Sequence, residues 1–191
     1  ETIVPVDKQG NKLCDAILWM DRRTAKEAED LASYFGRENL HSVTGMIPDA
    51  TFSATKLMWL KRHMPEVVDA AHCFLQPKEY VCLKLTGAFT TDYSLASRTM
   101  MLDVRKLSWC DDVFAAVGIS KEKMPRIYYS DEVVGTVTTE AAALLGIPSG
   151  IPVVAGGGDR QCEAVGAGIF GDRAMESTGT TSNISCALTT S

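Results

Sequence analysis

The chain has 191 residues, a formal net charge of −5, 46% hydrophobic residues and 23% charged residues. These values are typical of a globular protein with one domain or slightly more, and they exclude collagen-like, disordered and disulfide-scaffold classes. The longest basic cluster, Lys61–His63, is too short for a nucleic-acid groove, and no apolar run approaches the ~20 residues of a membrane-spanning helix. We therefore expect neither a nucleic-acid partner nor a membrane partner.

The first predicted elements form a hairpin followed by a helix. Thr2–Val6 is predicted as a strand, residues 7–11 as a turn rich in residues that tolerate positive φ, and Ala16–Trp19 as the return strand. Thr24–Glu27 has the spacing of a capping box, and apolar residues at helical spacing follow until Gly36 ends the helix.

The rest of the chain alternates helices with short strands. Residues 90–103 are polar and mixed, which predicts a surface loop with a short helix. Strands are predicted at 152–155, 174–177 and 183–188, the last two as a pair around a Gly-Thr turn. Helices are predicted at residues 54–64, 77–85, 111–117, 138–145 and 161–167. This order of elements indicates the α/β class.

The cysteines argue for a reducing compartment. Six of them lie far apart without a CxxC pair, which is poor spacing for zinc and for a disulfide framework. Free thiols in the cytoplasm are therefore the expectation. None of the three histidines sits beside a plausible ligand set, so we expect no metal site made of protein side chains.

The strongest local signal is a short apolar strand that runs into Gly156–Gly158 and Asp159. Ligands of open α/β sheets bind beyond the carboxyl ends of strands, and glycines there let the backbone approach a ligand closely. An acid at that place can accept a proton from a hydroxyl nucleophile. A glycine turn with Asp159 as the N-cap of the next helix explains the same residues.

Two further segments carry polar groups suited to a ligand. Ser177–Ser182 places hydroxyls around a glycine, a nest that suits phosphate oxygens, although an ordinary hairpin turn has the same composition. Trp19–Thr24 sets an aromatic face beside an acid and a guanidinium, which can hold a polyol. A core tryptophan followed by a helix cap is the alternative for that segment.

Taken in order, these segments resemble those of the FGGY carbohydrate kinases, the family of glycerol, xylulose and gluconate kinases. The resemblance covers nearly the whole chain. The matching segments are Trp19–Thr24, Phe52–Leu57, Gln76–Tyr80, Leu85–Gly87, Thr91–Thr99, Gly156–Asp159 and Ser177–Thr181.

The resemblance implies a ribonuclease H-like fold of the actin and hexokinase type, with two domains around a cleft. Residues 1–172 would be an N-terminal sugar-binding domain without its opening hairpin, and 173–191 would be the first strands of the ATP-binding domain. Because one phosphate loop and the adenosine pocket would lie outside these residues, we expect the isolated chain to be inactive.

The implied reaction is the ATP-dependent phosphorylation of a sugar or polyol, xylulokinase-like, with ATP and Mg²⁺ as cofactors. Asp159 matches the catalytic base of the family. Gly179, Thr180 and Thr181 match the loop that contacts the ATP phosphates. The sugar or polyol and ATP are the expected partners, and a homodimer is left open.

On the substrate side, the resemblance implies that Trp19 forms an aromatic wall of the sugar site and that Glu1 contacts the sugar. Asp21 and Arg22 belong to the same segment and are given a supporting role.

Two departures from the family bear on the substrate. Thr51 stands where glycerol kinases usually have Tyr, which counts against glycerol. At the position after Asp159, glycerol kinases have Gln and xylulose kinases usually have Asn, whereas this chain has Arg160. Its guanidinium could reach a hydroxyl or carboxylate of the substrate, or form an ion pair away from the site.

Two other classes of function are weighed against the sugar kinase. One is an actin-like nucleotide-binding switch ATPase without a metabolite substrate, and the other is a non-catalytic interaction domain. An acid such as Asp159 beside a polyol-type site favours the kinase.

Overall fold

The computed structural model of the protein describes residues 1–179 and 182–187. The chain divides into two compact units, Glu1–Gly156 and Gly157–Ser191. The boundary predicted after residue 172 concerns the domains of a full-length kinase and stays a prediction.

The first unit is built on a two-stranded ribbon that is covered on both faces. β1 (Val4–Val6) pairs antiparallel with β2 (Cys73–Leu75), and every residue of both strands is buried. One face packs against Leu83, and the other, with Ile3 and Phe74, joins the main apolar core. Burial on both faces explains why these strands are runs of apolar residues without polar alternation. The face toward Leu83 consists of Val4, Val6, Cys73 and Leu75.

The turn after β1 confirms the prediction, but the return strand does not form. The Asp7 carboxylate accepts the amides of Gln9 and Asn11 at 2.9 and 2.8 Å. The returning segment meets β1 and its flank only through single bridges, Ile3 to Ile17 and Val6 to Lys12. The prediction at residues 16–19 is wrong because only Ile17 among these four is buried, so no face holds them against β1.

Helices cover one face of the ribbon. They are α1 (Ala25–Phe35), α2 (Arg37–Thr44), α3 (Ser53–His63) and α4 (Pro65–Ala70). α1 ends as predicted and α3 begins and ends one residue earlier than predicted, whereas α2, of which only two residues are buried, was not predicted. In the described part of the chain, no helix combines the length and apolar character needed to cross a membrane.

The capping box predicted at the start of α1 is not formed. Thr24 is buried, and its hydroxyl lies 3.0 Å from the Ala50 carbonyl oxygen and 2.9 Å from the Thr55 hydroxyl, so it makes no cap bond. Glu27 instead binds Arg62 of α3 at 2.8 Å. Both side chains of the pattern therefore connect α1 to other segments, because buried groups of this kind must find partners wherever packing places them.

Lys56, near the start of α3, is a fully buried cation. Its ammonium donates to the carbonyl oxygens of Ala50 and Thr51 at 2.8 and 2.6 Å. Burial lowers its pKa to about 8, against the opposing influence of Asp21, Glu1 and Asp49.

The other face of the ribbon is covered by α5 (Pro77–Thr86), which begins at Pro77 as predicted and runs one residue past the predicted end at Leu85, with Gly87 as its C-cap. The capping box formed by Gln76 and Glu79 at its start was not predicted. α8 (Thr139–Leu145) packs on α5 through a small cluster of Val137, Ala141 and Ala142, against which Leu85 of α5 lies.

Residues 90–103 contain strands where a loop was predicted. β3 (Thr90–Asp92) is wholly buried and pairs in parallel with β6 (Arg126–Tyr128). α6 (Tyr93–Ser97) follows, so the predicted short helix is present. The polar residues of β3 are buried because they have partners, among them the Thr91 hydroxyl, which donates to Glu79. β4 (Leu102–Asp103) then pairs antiparallel with β5 (Ser108–Trp109), and α7 (Asp111–Val117) has the bounds predicted.

An antiparallel pair completes the first unit. β7 (Val133–Thr136) pairs with β8 (Pro152–Val154), the strand predicted before the glycine run.

The second unit contains a helix and a hairpin. α9 (Asp159–Gly166) starts two residues earlier than predicted. β9 (Ala174–Thr178) and β10 (Ser182–Cys186) form the antiparallel pair that the sequence predicts. Leu188, the last residue of the predicted strand, lies outside the described residues.

We expect the buried Lys56 to make stability depend on pH. Its amine releases the proton near pH 8 in the folded protein and near the ordinary value of 10.5 in the unfolded chain. The unfolded state therefore binds more protons between these values, and the free energy of unfolding contributed by Lys56 rises with pH across this window. Urea unfolding followed by circular dichroism measures the free energy of unfolding of the wild type and of Lys56→Met. The wild-type value minus the Lys56→Met value should increase between about pH 8 and pH 10.

Lys61→Met removes an exposed lysine from the same helix and is the matched control. If the free energy of unfolding of the wild type minus that of Lys56→Met does not change with pH, the burial of a charged amine at Lys56 is contradicted.

Candidate functional site

Glu1, proposed to contact the sugar, lies shortly before β1 of the ribbon. The Glu1 carboxylate oxygen Oε1 accepts two bonds from the Arg98 guanidinium, one of them 2.8 Å from Nε. The same guanidinium lies 5.2 Å above the ring of Phe52. Arg98 thus holds Glu1 on one side while stacking on a residue of the Phe52–Leu57 segment.

The backbone of Trp19 lies beside Thr2, the residue that follows Glu1. Its amide donates to the Thr2 hydroxyl at 3.0 Å, and 53% of the residue is exposed. The alternative of a core tryptophan is therefore wrong in this structure. An exposed indole can stack on the C–H groups of a sugar, and a carboxylate such as that of Glu1 can bind sugar hydroxyls.

Asp21 and Arg22 are engaged in ion pairs. Asp21 binds the side chain of Arg23 at 2.9 Å, and this contact lowers the pKa of its carboxyl. Arg22 donates to both carboxylate oxygens of Asp49, at 2.8 and 3.1 Å. Asp49 also accepts the amide and hydroxyl of Thr51, so these pairs hold the loop before α3 in place.

Asp92 forms a second buried polar centre that the sequence did not single out. It is wholly buried and pairs with Lys78 at 2.6 Å. Burial alone would raise its pKa, but the bonds from Lys78, Ser94 and Ser130 outweigh this and lower it. Both residues lie in segments that carry the family resemblance, yet no local pattern links a lysine on α5 with an acid at the end of β3.

In the second unit, Asp159 is exposed and is the first residue of α9. The N-cap is Gly158, so the alternative in which Asp159 itself caps the helix is wrong. Its Oδ1 accepts the Arg160 amide at 2.9 Å.

Arg160 is bound within the same unit. Its guanidinium nitrogen Nη1 donates to the Ser177 hydroxyl at 2.6 Å and pairs with Glu163 at 3.2 Å. These contacts connect the first turn of α9 to β9.

Of the residues proposed for the ATP phosphates, Gly179 directly follows β9 and is exposed. Thr180 and Thr181 lie outside the described residues. Among the residues that are described, no group of three or more His, Cys, Asp or Glu is placed to hold a metal ion.

The family sequence model described as "FGGY family of carbohydrate kinases, N-terminal domain" matches residues 1–166 of this chain. Two curated relatives come from Escherichia coli. Its xylulose kinase is 39% identical over 176 residues, which are 92% of this chain and 36% of the relative. Its L-fuculokinase is 35% identical over 175 residues, which are 92% of this chain and 37% of the relative.

Among solved structures, xylulose kinase from Rhodospirillum rubrum superposes with a TM-score of 0.91 at 29% identity, over 96% of this chain and 38% of that one. This likeness confirms the predicted fold class, the ribonuclease H-like fold of actin and hexokinase. The chain spans a little over a third of the length of the curated relatives it matches. By the match of most of its length to the family model, the chain belongs to the FGGY family of carbohydrate kinases.

Proposed function

We propose that the full-length protein transfers the γ-phosphoryl group of ATP to a hydroxyl of a sugar or polyol, in the manner of xylulose kinases. The observation that carries the proposal is the exposed Asp159 at the start of α9, directly after three glycines, in a chain of this family. The actin-like switch is not favoured, because the curated relatives are sugar kinases.

Asp159 is the proposed general base. Its carboxylate accepts the proton of the substrate hydroxyl, whose oxygen then forms a bond to the γ-phosphorus while the bond to ADP breaks. Phosphoryl transfer depends mainly on positioning and on neutralising charge, and Mg²⁺ bound with ATP supplies part of that neutralisation. Gly179, with Thr180 and Thr181, is proposed to meet the phosphates.

The sugar is proposed to lie against Trp19, with the Glu1 carboxylate accepting its hydroxyls and Arg98 orienting that carboxylate. Asp21 and Arg22 support the neighbouring loop. The bonds of Arg160 to Ser177 and Glu163 support its alternative role, in which it holds α9 against β9 and does not touch substrate.

The proposed location is the cytoplasm, where the six free thiols would stay reduced. A homodimer, and the absence of nucleic-acid and membrane partners, stay predictions from the sequence.

We expect Asp159→Asn in the full-length enzyme to lower kcat by ~10²–10⁴-fold with little change in sugar binding, because the amide cannot accept the proton. A coupled assay of ADP release with a panel of ketoses and polyols measures this. Asp172→Asn, which alters another exposed acid of the second unit, should leave kcat near the wild-type value. ADP release by the wild type that does not depend on any sugar would refute the kinase assignment.

We also expect sugar to change the fluorescence of Trp19, because its exposed indole would become covered. Trp59 and Trp109 pack against the main core and should contribute little to the change. Titration of the wild type and of Trp19→Phe, Trp59→Phe and Trp109→Phe tests this. A Trp19→Phe protein that keeps the whole signal would remove Trp19 from the sugar site.

A further inference from the structure

One lysine connects three separate segments of the first unit. The Lys78 ammonium, on α5, donates to Asp92 Oδ1 at 2.6 Å and to the carbonyl oxygens of Ala155 and Gly156 at 2.8 and 2.9 Å. An ammonium has three N–H donors, so these contacts use all of them. Lys78 thus joins α5 to the end of β3 and to the segment that leaves β8.

Asp92 is the fixed end of this connection. It is fully buried, and its second oxygen, Oδ2, accepts the amide and the hydroxyl of Ser94 and the hydroxyl of Ser130, the last at 2.9 Å. A buried carboxylate with this many donors has one well-defined position. Loss of Lys78 would leave the Asp92 carboxylate as a buried charge without its cationic partner.

The bonds close into a ring around Gly156. The Gly156 amide donates to the main-chain oxygen of Ser130 at 2.8 Å, and the Gly156 carbonyl accepts from Lys78. Ser130 in turn binds Asp92, which binds Lys78. Both polar main-chain groups of Gly156 are therefore fixed, and its φ of +68° is held in the region that favours glycine.

We propose that Lys78, with Asp92 and Ser130, is a positioning residue for the loop Gly156–Asp159, which carries the proposed base. The chain reaches Asp159 after only two residues beyond Gly156, and both of them are glycines. Because only two residues separate them, the position at which the chain leaves Gly156 limits how far from it Asp159 can lie. The inference rests on the proposed function, because it assigns Lys78 an effect on the rate of phosphoryl transfer.

The test uses the full-length enzyme with Lys78→Met and a matched control, Lys84→Met. Lys84 is on the same helix and also donates to a glycine carbonyl, that of Gly10, at 2.6 Å. Both variants lose one lysine and one contact to a glycine, but only Lys78 reaches the loop before Asp159. Ser130→Ala is a milder variant that removes one bond of the ring and keeps the ion pair.

We expect Lys78→Met to lower kcat by roughly 10- to 100-fold, the effect of a misplacement of about 1 Å, with the KM values for sugar and ATP nearly unchanged. Ser130→Ala should show a smaller loss of the same kind, and Lys84→Met should retain the wild-type kcat. Wild-type kcat in both Lys78→Met and Ser130→Ala would overturn the proposal. If Lys78→Met does not fold, the outcome with Ser130→Ala decides.

Hydrogen exchange provides a readout that does not need activity. Peptides that contain the Gly156–Arg160 amides should exchange faster in Lys78→Met and Ser130→Ala than in the wild type, and not in Lys84→Met. Unchanged exchange in both ring variants would overturn the positioning role. A wild type without sugar-dependent ADP release would refute the proposed function alone, since faster exchange would still show that Lys78 fixes the loop.

Discussion

Burial of the β1–β2 ribbon on both faces is the constraint on which the rest of the first unit depends. Helices α1 and α3 lie on one side of it and α5 on the other, so the segments that leave the ribbon emerge between two packed layers. Backbone and side-chain polar groups at these places cannot rely on water and must find partners in the protein. Glu1 finds Arg98, and Gln76 binds Glu79.

Charged side chains that are buried or half-buried then bind the backbone of several loops in the first unit. Lys56 holds the carbonyls of residues 50 and 51, and Lys78 holds those of residues 155 and 156. Glu79, whose pKa is raised by burial, accepts the Thr91 hydroxyl and so connects α5 to β3. A charge removed from water is costly unless it is well bound, so each of these side chains has few alternative positions. The backbone groups that they bind are held in place, as the proposed positioning of a substrate would require.

The proposed chemistry is divided between the two units. The first carries the exposed indole of Trp19, the Glu1 carboxylate and the hydrogen bonds of Lys78 with Asp92, and the second carries Asp159, Arg160 and Gly179. Lys78 acts on the last residues of the first unit, immediately before the glycines that connect to Asp159. A kinase needs both a sugar platform and a base that is held in line with the phosphate, and this arrangement assigns separate residues to the two tasks.

The sequence by itself determined the elements whose signals are local. The helices after Pro77 and before Gly118 and Gly146 form as predicted, because proline and glycine act on their own backbone. The glycine run before Asp159, and its place between a strand and a helix, were likewise predicted from the order of the residues. Only the tertiary structure decided the rest. Thr24 bonds to Ala50 instead of capping α1, polar β3 is buried, and Lys78 reaches carbonyls at residues 155 and 156. In each of these cases the partner lies far along the chain, and a hydrogen bond between distant segments leaves no periodic trace in the sequence.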